Sequence, residues 1–238
     1  MTKKPSSESR GLLAILLPLI VVGAASAQAV SFDYSSLGNA LIEFQGQGTG
    51  GTLSITNDPS TALAFQIADA NPSTLDGLAG RINGSFAIGS PVTIGPGEQE
   101  AAVTGTGTMS IFDGSSVLSA TLSWNTIVTL GPFGALNYNF PTTPANLSNF
   151  TYSGTTTSPL YQLANATSGT NVLDFTFNTP ESISSLIQSG TTNSTTFSGS
   201  IEAIPEPSTC ALVLGSLAIC FAAWQRRRWS MWLDPRST

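Results

Sequence analysis

The side chains that perform most enzyme chemistry are scarce in this sequence of 238 residues, which contains no histidine and two cysteines. Without histidine, Ser-His-Asp and Cys-His nucleophile arrangements and histidine-ligated metal sites are excluded. Glu98 and Glu100 form the one close acidic pair, and such a pair could serve glycoside hydrolysis. They follow a Gly-Pro-Gly turn, however, and catalytic tuning of a carboxyl group requires burial. We expect both side chains to be solvated on this turn, and we predict no catalytic residue.

Oxygen ligands for Ca²⁺ occur in one loop-rich stretch, at Asp58, Asp69, Asn71 and Asp76. Ca²⁺ takes six to eight oxygens in a dedicated geometry, and neither an EF-hand nor a nonapeptide repeat is visible. Solvated loop acids are the default interpretation of these residues. We therefore predict no metal site and no cofactor.

Two further side chains each allow a ligand-binding interpretation and a structural one. Trp124 could form a sugar-stacking platform, but a tryptophan at the end of an alternating strand is more often in the core. Arg81 could pair with an acid such as Asp76, remain solvated, or bind a carboxylated sugar.

The charge distribution limits the partners of the central region. Residues 30–204 contain eleven acidic side chains and one basic side chain, Arg81, which gives a formal charge of −10. A nucleic-acid interface needs several lysines or arginines to neutralise phosphates. Nucleic acid is therefore excluded as a partner of this region.

The same region has the composition of an all-β domain. Residues 30–204 include 50 Ser or Thr and 20 Gly, and residues 118–124 alternate apolar and polar side chains. Further strands are expected at 41–44, 51–56, 62–68, 80–89, 101–112, 126–130, 147–153, 172–177 and 196–203. About eight to eleven short strands separated by turns predict a β-sandwich, jelly-roll-like, over 28–203. We expect a single short helix from a Thr179 cap to Gln188, and a long loop within 137–170.

The N-terminus has the layout of a secretory signal peptide. Three basic residues precede the apolar run GLLAILLPLIVVGAA, and small residues at Ala25 and Ala27 follow. Signal peptidase is expected to cleave after Ala27, with Ala29 as the alternative. A retained membrane anchor is the other interpretation, but Pro18 in the run and its short length disfavour it. We assign residues 1–27 to the signal peptide.

A second membrane segment is predicted near the C-terminus. Residues 208–224 carry no charge and would form a helix about 25 Å long, near the lower limit for a bilayer core. Arg226, Arg227 and Arg228 follow and would stay cytoplasmic as stop-transfer charges, with a short tail over 230–238. A buried amphipathic helix is the alternative, but this segment is apolar on every face.

Directly before that segment stands Pro205-Glu206-Pro207. The ordered combination of this motif, a short apolar helix and an arginine run, together with a signal peptide, resembles a PEP-CTERM sorting signal over about residues 203–229. The resemblance implies a Gram-negative host and processing by exosortase, an integral-membrane cysteine transpeptidase, near the motif. In that case Pro205, Glu206 and Pro207 are the recognition motif, and 204–229 is the sorting signal. The ten residues after the arginine run, Trp229 to Thr238, depart from the usual pattern and leave only the exact terminus open.

Three functions remain for the central domain. The leading hypothesis is an exported, non-enzymatic surface or extracellular-matrix protein, anchored in the inner membrane during transit and then displayed or released. The second is a carbohydrate-binding module within exopolysaccharide, and the third is a glycan-active hydrolase. The expected partners are the membrane, signal peptidase, exosortase and, for the second function, exopolysaccharide.

Overall fold

The structure is a computed structural model, and it describes residues 30–130, 136–140 and 146–205, together with Phe221. Several predicted features lie outside the described residues: the signal peptide with Ala25 and Ala27, the motif residues Glu206 and Pro207, the membrane segment 208–224, and Arg226, Arg227 and Arg228. Within the described part of the chain, no helix has the length and apolar character needed to cross a membrane.

The described residues form sixteen β-strands and three very short helices, which confirms the all-β prediction. The strands are β1 (Val30–Ser36), β2 (Ile42–Gly46), β3 (Gly51–Ile55), β4 (Phe65–Asn71), β5 (Ala79–Asn83), β6 (Ser85–Ile88), β7 (Val92–Gly95), β8 (Glu98–Thr104), β9 (Gly107–Asp113), β10 (Ser116–Leu122), β11 (Thr126–Leu130), β12 (Leu136–Phe140), β13 (Leu147–Tyr152), β14 (Ala166–Phe175), β15 (Thr192–Thr195) and β16 (Phe197–Pro205). The helices are a 3₁₀ turn (Ser73–Leu75), α1 (Leu160–Ala164) and α2 (Ile183–Leu186).

Eight of the described strands close into a barrel-like ring. The order is β1-β4-β5-β9-β10-β13-β14-β16, with β16 pairing back to β1 and all neighbours antiparallel. An open sheet branches from β14 through β12, β11, β8, β6, β3 and β2 to β15, and β7 pairs with β8. The strands thus form one connected sheet system, and the predicted sandwich is not confirmed.

The interior of the ring is a packed apolar core. Alternation along β1 buries Phe32 and Tyr34 and turns Asp33 outward, and β10 and β16 alternate in the same way. Leu163 of α1 packs into the ring beside Phe150. A cavity of about 10 Å³ remains there, and its apolar lining gives a water molecule no partners. The described side chains inside the ring therefore form a structural core.

The first and last described strands are neighbours. β1 and β16 pair antiparallel, with Val30 opposite Ala203 and Ser35 opposite Ser198. The chain therefore enters β1 and leaves β16 at one end of the ring, which we call the terminal end. The opposite end, the distal end, lies about 20 Å away, because the seven residues of β1 each advance about 3.3 Å.

The edge of β14 changes partners along its length. Leu147 of β13 pairs with Gly169, whereas β12 pairs with residues 173–175. Between these two partners the side chain of Asn146 takes the place of a strand. Its Oδ1 accepts the Asn171 N–H at 2.6 Å, and its Nδ2 donates to the Asn171 carbonyl at 2.9 Å. The amide thus supplies the two hydrogen bonds that a neighbouring strand would make.

The side chain of Asn171 extends this buried polar network. It is fully buried, its Oδ1 accepts from Trp124 Nε1 at 3.2 Å, and its Nδ2 donates to the Tyr34 hydroxyl at 2.8 Å. Burial raises the pKa of Tyr34, so the phenol stays protonated. Four separate chain segments therefore meet at Asn171 with their polar groups satisfied.

Three local predictions were wrong: the start of the helix near residue 180, its being the single helix, since α1 is also present, and the long loop within 137–170. The helix near residue 180 begins later than expected, because Ser182 is the cap and accepts the Ser185 N–H. The buried side chains Ile183 and Leu186 start only after that cap. The stretch 137–170 is not a long loop, since it contains β12, β13, α1 and the start of β14.

The network at Asn171 predicts a large effect of Asn146→Ala. Because two buried backbone groups would lose their partners at roughly 1–3 kcal/mol each, we expect the free energy of unfolding to fall by about 2–5 kcal/mol. Chemical unfolding followed by circular dichroism measures this change. Asn193→Ala on β15 is the control, because that side chain makes no hydrogen bond to any described residue. Equal stability of the two variants would show that the Asn146 amide does not complete the edge of β14.

A second prediction concerns the close approach of β1 to β16 at Gly199. A Cβ on Gly199 would overlap the Tyr34 ring and the Val172 carbonyl oxygen. Overpacking of this kind costs roughly 1–3 kcal/mol, so we expect Gly199→Ala to lower the thermal midpoint clearly. Gly89→Ala is the control, since its Cβ would lie 3.5 Å from the nearest atom, the Ala102 carbonyl oxygen. A midpoint for Gly199→Ala equal to that of the control would contradict this packing.

Candidate functional site

A groove of about 540 Å³ lies at the distal end of the ring, where the ring joins the open sheet. We call it the distal groove. It is formed by the end of β1, the end of β14 and the start of β16. The lining residues are Ser35, Ser36, Asp174, Phe175, Thr176, Thr196, Phe197 and Ser198.

Strand register places the polar groups of the distal groove in one row. Ser198 is opposite Ser35 on one side and opposite Asp174 on the other. Neighbouring residues in such a row lie about 5 Å apart, so the row spans roughly 10 Å. All three alternate with buried residues of their strands, and this alternation turns them to the outside of the ring.

Asp174 is the charged group of the distal groove. Burial, and secondly the negative charge of Asp33, raise the pKa of Asp174 above its ordinary value. Asp33 lies two residues before Ser35 on β1 and faces outward in the same way. The carboxylate of Asp174 is thus partly withdrawn from water and accepts no hydrogen bond from any described residue.

The hydroxyl groups beside Asp174 are also available to a ligand. Among the described residues, the side chains of Ser35, Ser198 and Thr196 form no hydrogen bond with a protein group. Each hydroxyl can donate one hydrogen bond and accept others. Phe175 and Phe197 also border the groove, but their side chains are 2% and 3% exposed and belong to the core.

The acids considered for Ca²⁺ have separate structural roles. Asp58 is buried and accepts from the Asn39 N–H and from both the N–H and the hydroxyl of Ser60, and the Ser60 hydrogen bonds lower the pKa of Asp58. Asp69 lies in a bulge of β4 with a φ of 48°. Asp76 accepts the Ala70 N–H of that bulge at 2.7 Å. Within the described ranges, no three acidic or cysteine side chains form a metal-binding group.

The remaining candidates from the sequence also lie apart from the distal groove. Trp124 is 1% exposed and packs on Phe86, so the core interpretation is confirmed. The guanidinium carbon of Arg81 lies 5.2 Å from the centre of the Phe112 ring, and Arg81 forms no salt bridge with a described residue. Asp76, the acid suggested as its partner, bonds to backbone instead.

Glu98 and Glu100 lie on β8 and not in the turn before it. Both are half-buried on this strand. Gln99 between them binds α2 in two ways, by donating to the Ser184 hydroxyl and by accepting the Ser184 N–H, each at 2.9 Å. This segment thus attaches the second helix to the open sheet.

Of the predicted sorting motif, the structure describes the backbone of Pro205. It is the last residue of β16 and pairs with Ala166 of β14. A proline at a strand end is tolerated because the missing N–H removes no internal ladder bond.

No family model, curated protein or solved structure matches this chain.

The sequence did not indicate the distal groove. Its polar row joins residues from β1, β14 and β16, and Ser35 lies more than 130 positions before Asp174 and Ser198. The signal that was present is the alternation of hydroxyl and apolar side chains in residues 197–203, which shows that one face of that strand is outward and polar. The neighbours of that strand are determined by the closure of the ring, which residues 197–203 alone do not indicate.

The raised pKa of Asp174 predicts an unusual pH dependence of stability. The native state holds this proton more tightly than the unfolded chain, so ionised Asp174 costs stability above its raised pKa, and the cost vanishes as pH falls. We expect Asp174→Asn to raise the thermal midpoint by a few degrees at neutral pH. The difference should disappear below the ordinary pKa of an aspartate.

Asp58→Asn provides the contrast in the same thermal scans. Because hydrogen bonds lower the pKa of Asp58, its ionised form stabilises the fold at neutral pH, and that contribution is lost as pH falls through the lowered pKa. Asp58→Asn should therefore lower the midpoint at neutral pH. Shifts of the same sign in both variants would refute these assignments.

Proposed function

We propose that this chain is an exported cell-surface or extracellular-matrix protein with a non-enzymatic β domain, sorted by a PEP-CTERM signal. After removal of residues 1–27, the segment 208–224 holds the domain at the inner membrane. Exosortase then processes the chain near Pro205-Glu206-Pro207, and the domain is displayed at the surface or released.

The observation that carries this proposal is the pairing of Val30 with Ala203. Val30 stands three residues after the expected cleavage position Ala27, and Ala203 stands two residues before the motif. The described chain therefore begins and ends at the same end of the ring, and each predicted membrane segment is close in sequence to one of these ends. Before signal peptidase acts, both ends of the exported domain face one bilayer, and the pairing of β1 with β16 is compatible with that stage.

The position of the motif also suits processing. β16 is hydrogen-bonded to β1 through Ala203 and to β14 through Pro205. Cleavage after the motif would remove none of these strand pairs. The two prolines of the motif favour an extended backbone, and they prevent the predicted membrane helix from continuing into β16. An extended segment between sheet and membrane is a suitable substrate for a membrane-embedded transpeptidase.

For the domain itself, the geometry favours a binding or structural role over hydrolysis. Glycoside hydrolysis uses two carboxyl groups roughly 5–9.5 Å apart across the scissile bond. The distal groove presents one carboxylate, Asp174, within a row of hydroxyl groups. This set of groups is suited to holding a ligand.

Mass spectrometry of the protein from its native host tests the sorting proposal. We expect the mature chain to begin at Gln28 and to end at or near Pro207. In cells without exosortase, the C-terminus should remain at Thr238.

The variant Glu206→Ala should also retain Thr238, because it removes the one charge of the motif. Glu202→Ala is the matched control, as it removes an exposed carboxylate from β16 and should be processed normally. Recovery of a chain ending at Thr238 from normal cells, or of uncleaved residues 1–27, would refute the proposal.

A further inference from the structure

We propose that the distal groove is a binding site for a neutral, hydroxyl-rich ligand, namely a saccharide chain. The proposal does not depend on how the chain is sorted, because the groove belongs to the folded domain alone. Four properties of the groove support it: its hydrogen-bonding groups, its size, its electrostatic surroundings and its position.

The hydrogen-bonding groups match those of a sugar. The hydroxyls of Ser35 and Ser198 can each donate and accept, and the carboxylate of Asp174 accepts from more than one donor. Vicinal sugar hydroxyls are donors and acceptors spaced along a ring, so they can bond to several members of this row at once. A carboxylate that is partly buried and without a donor gains most from such a partner, since hydrogen bonds to charged groups are the strong ones.

The size of the groove fits the same ligand. A volume of about 540 Å³ lies within the range of small-molecule sites.

The charges near the groove disfavour anionic ligands, and its lining disfavours a dedicated metal site. Residues 30–204 carry a formal charge of −10, and Arg81 lies on β5, which β1 and β4 separate from β16. An anionic ligand in the distal groove would therefore meet Asp174 and Asp33 without a compensating cation. Ca²⁺ requires six to eight oxygens, whereas the groove lining includes a single carboxylate.

The position of the groove leaves it accessible. It lies at the distal end, about 20 Å from the end at which Val30 and Ala203 pair. A chain held through residue 205 would therefore present the groove away from its point of attachment.

Titration of the full-length chain with neutral polysaccharides tests this proposal. The protein is held in a detergent without a sugar head group, and dextran, mannan and galactan are the neutral probes, with alginate as the anionic comparison. We expect at least one neutral probe to bind and alginate to bind more weakly. Asp174→Ala should weaken that binding about tenfold or more, and Ser198→Ala severalfold.

Glu202→Ala and Ser200→Ala are the matched controls, because both remove outward polar groups of β16 outside the groove. Binding by the controls should stay within about twofold of the wild-type value, which is the effect expected of surface changes away from a site. Asp174→Asn keeps an acceptor oxygen, so its affinity for the saccharide should lie between those of the wild type and Asp174→Ala. Circular dichroism confirms that each variant is folded.

Three outcomes overturn the proposal. The first is that none of the neutral polysaccharides binds at millimolar sugar concentration. The second is binding that the Asp174 and Ser198 variants leave unchanged. The third is calorimetric binding of Ca²⁺ alone that requires Asp174, without binding of any saccharide.

Discussion

The hydrogen bonds between Asn146 and Asn171 are the interaction on which the rest of the fold depends. One edge of β14 serves two sheets, because β13 of the ring occupies its first part and β12 of the open sheet its last part. A main-chain N–H and a carbonyl between two such partners would be buried without hydrogen bonds, which proteins rarely tolerate. The Asn146 side chain removes that conflict, so a closed ring and an open sheet can share one strand.

The Asn171 side chain uses the same position to join more distant parts of the chain. Tyr34 comes from the first strand and Trp124 from the segment between β10 and β11, and both bond to Asn171 within the apolar core. A buried polar group of this kind specifies one arrangement of its neighbours, because any other arrangement leaves it unsatisfied. We infer that this network fixes the register at which β1 and β14 face each other across β16.

The sequence predicted several of the strands that have one buried face close to their observed bounds. Residues 126–130 and 147–153 were assigned to strands almost at their observed bounds, and the alternation in residues 118–124 correctly placed β10. β7 and β15 were missed because their exposed edge positions leave no apolar periodicity to detect. β1 was missed although Phe32 and Tyr34 alternate with polar residues, so a usable signal was present there.

The candidate site could not be predicted in the same way. Its hydroxyl groups belong to a region with 50 serines and threonines, and no local pattern separates Ser35 or Ser198 from the others. Only closure of the ring makes them neighbours of Asp174, and that closure depends on pairings across most of the chain. Single residues such as Trp124 were easier to assign, because the local alternation over residues 118–124 already indicates burial at that position.

The long, doubly paired strand β16 also determines how the domain resists mechanical load. It runs from the distal groove at Phe197 to Pro205, with β14 on one side along its whole length and β1 on the other as far as Ala203. A tension applied between a ligand in the groove and the segment after Pro205 would act parallel to this strand. All its inter-strand hydrogen bonds would then be sheared together, instead of being unzipped one pair at a time, so the domain should transmit force along β16 before it yields.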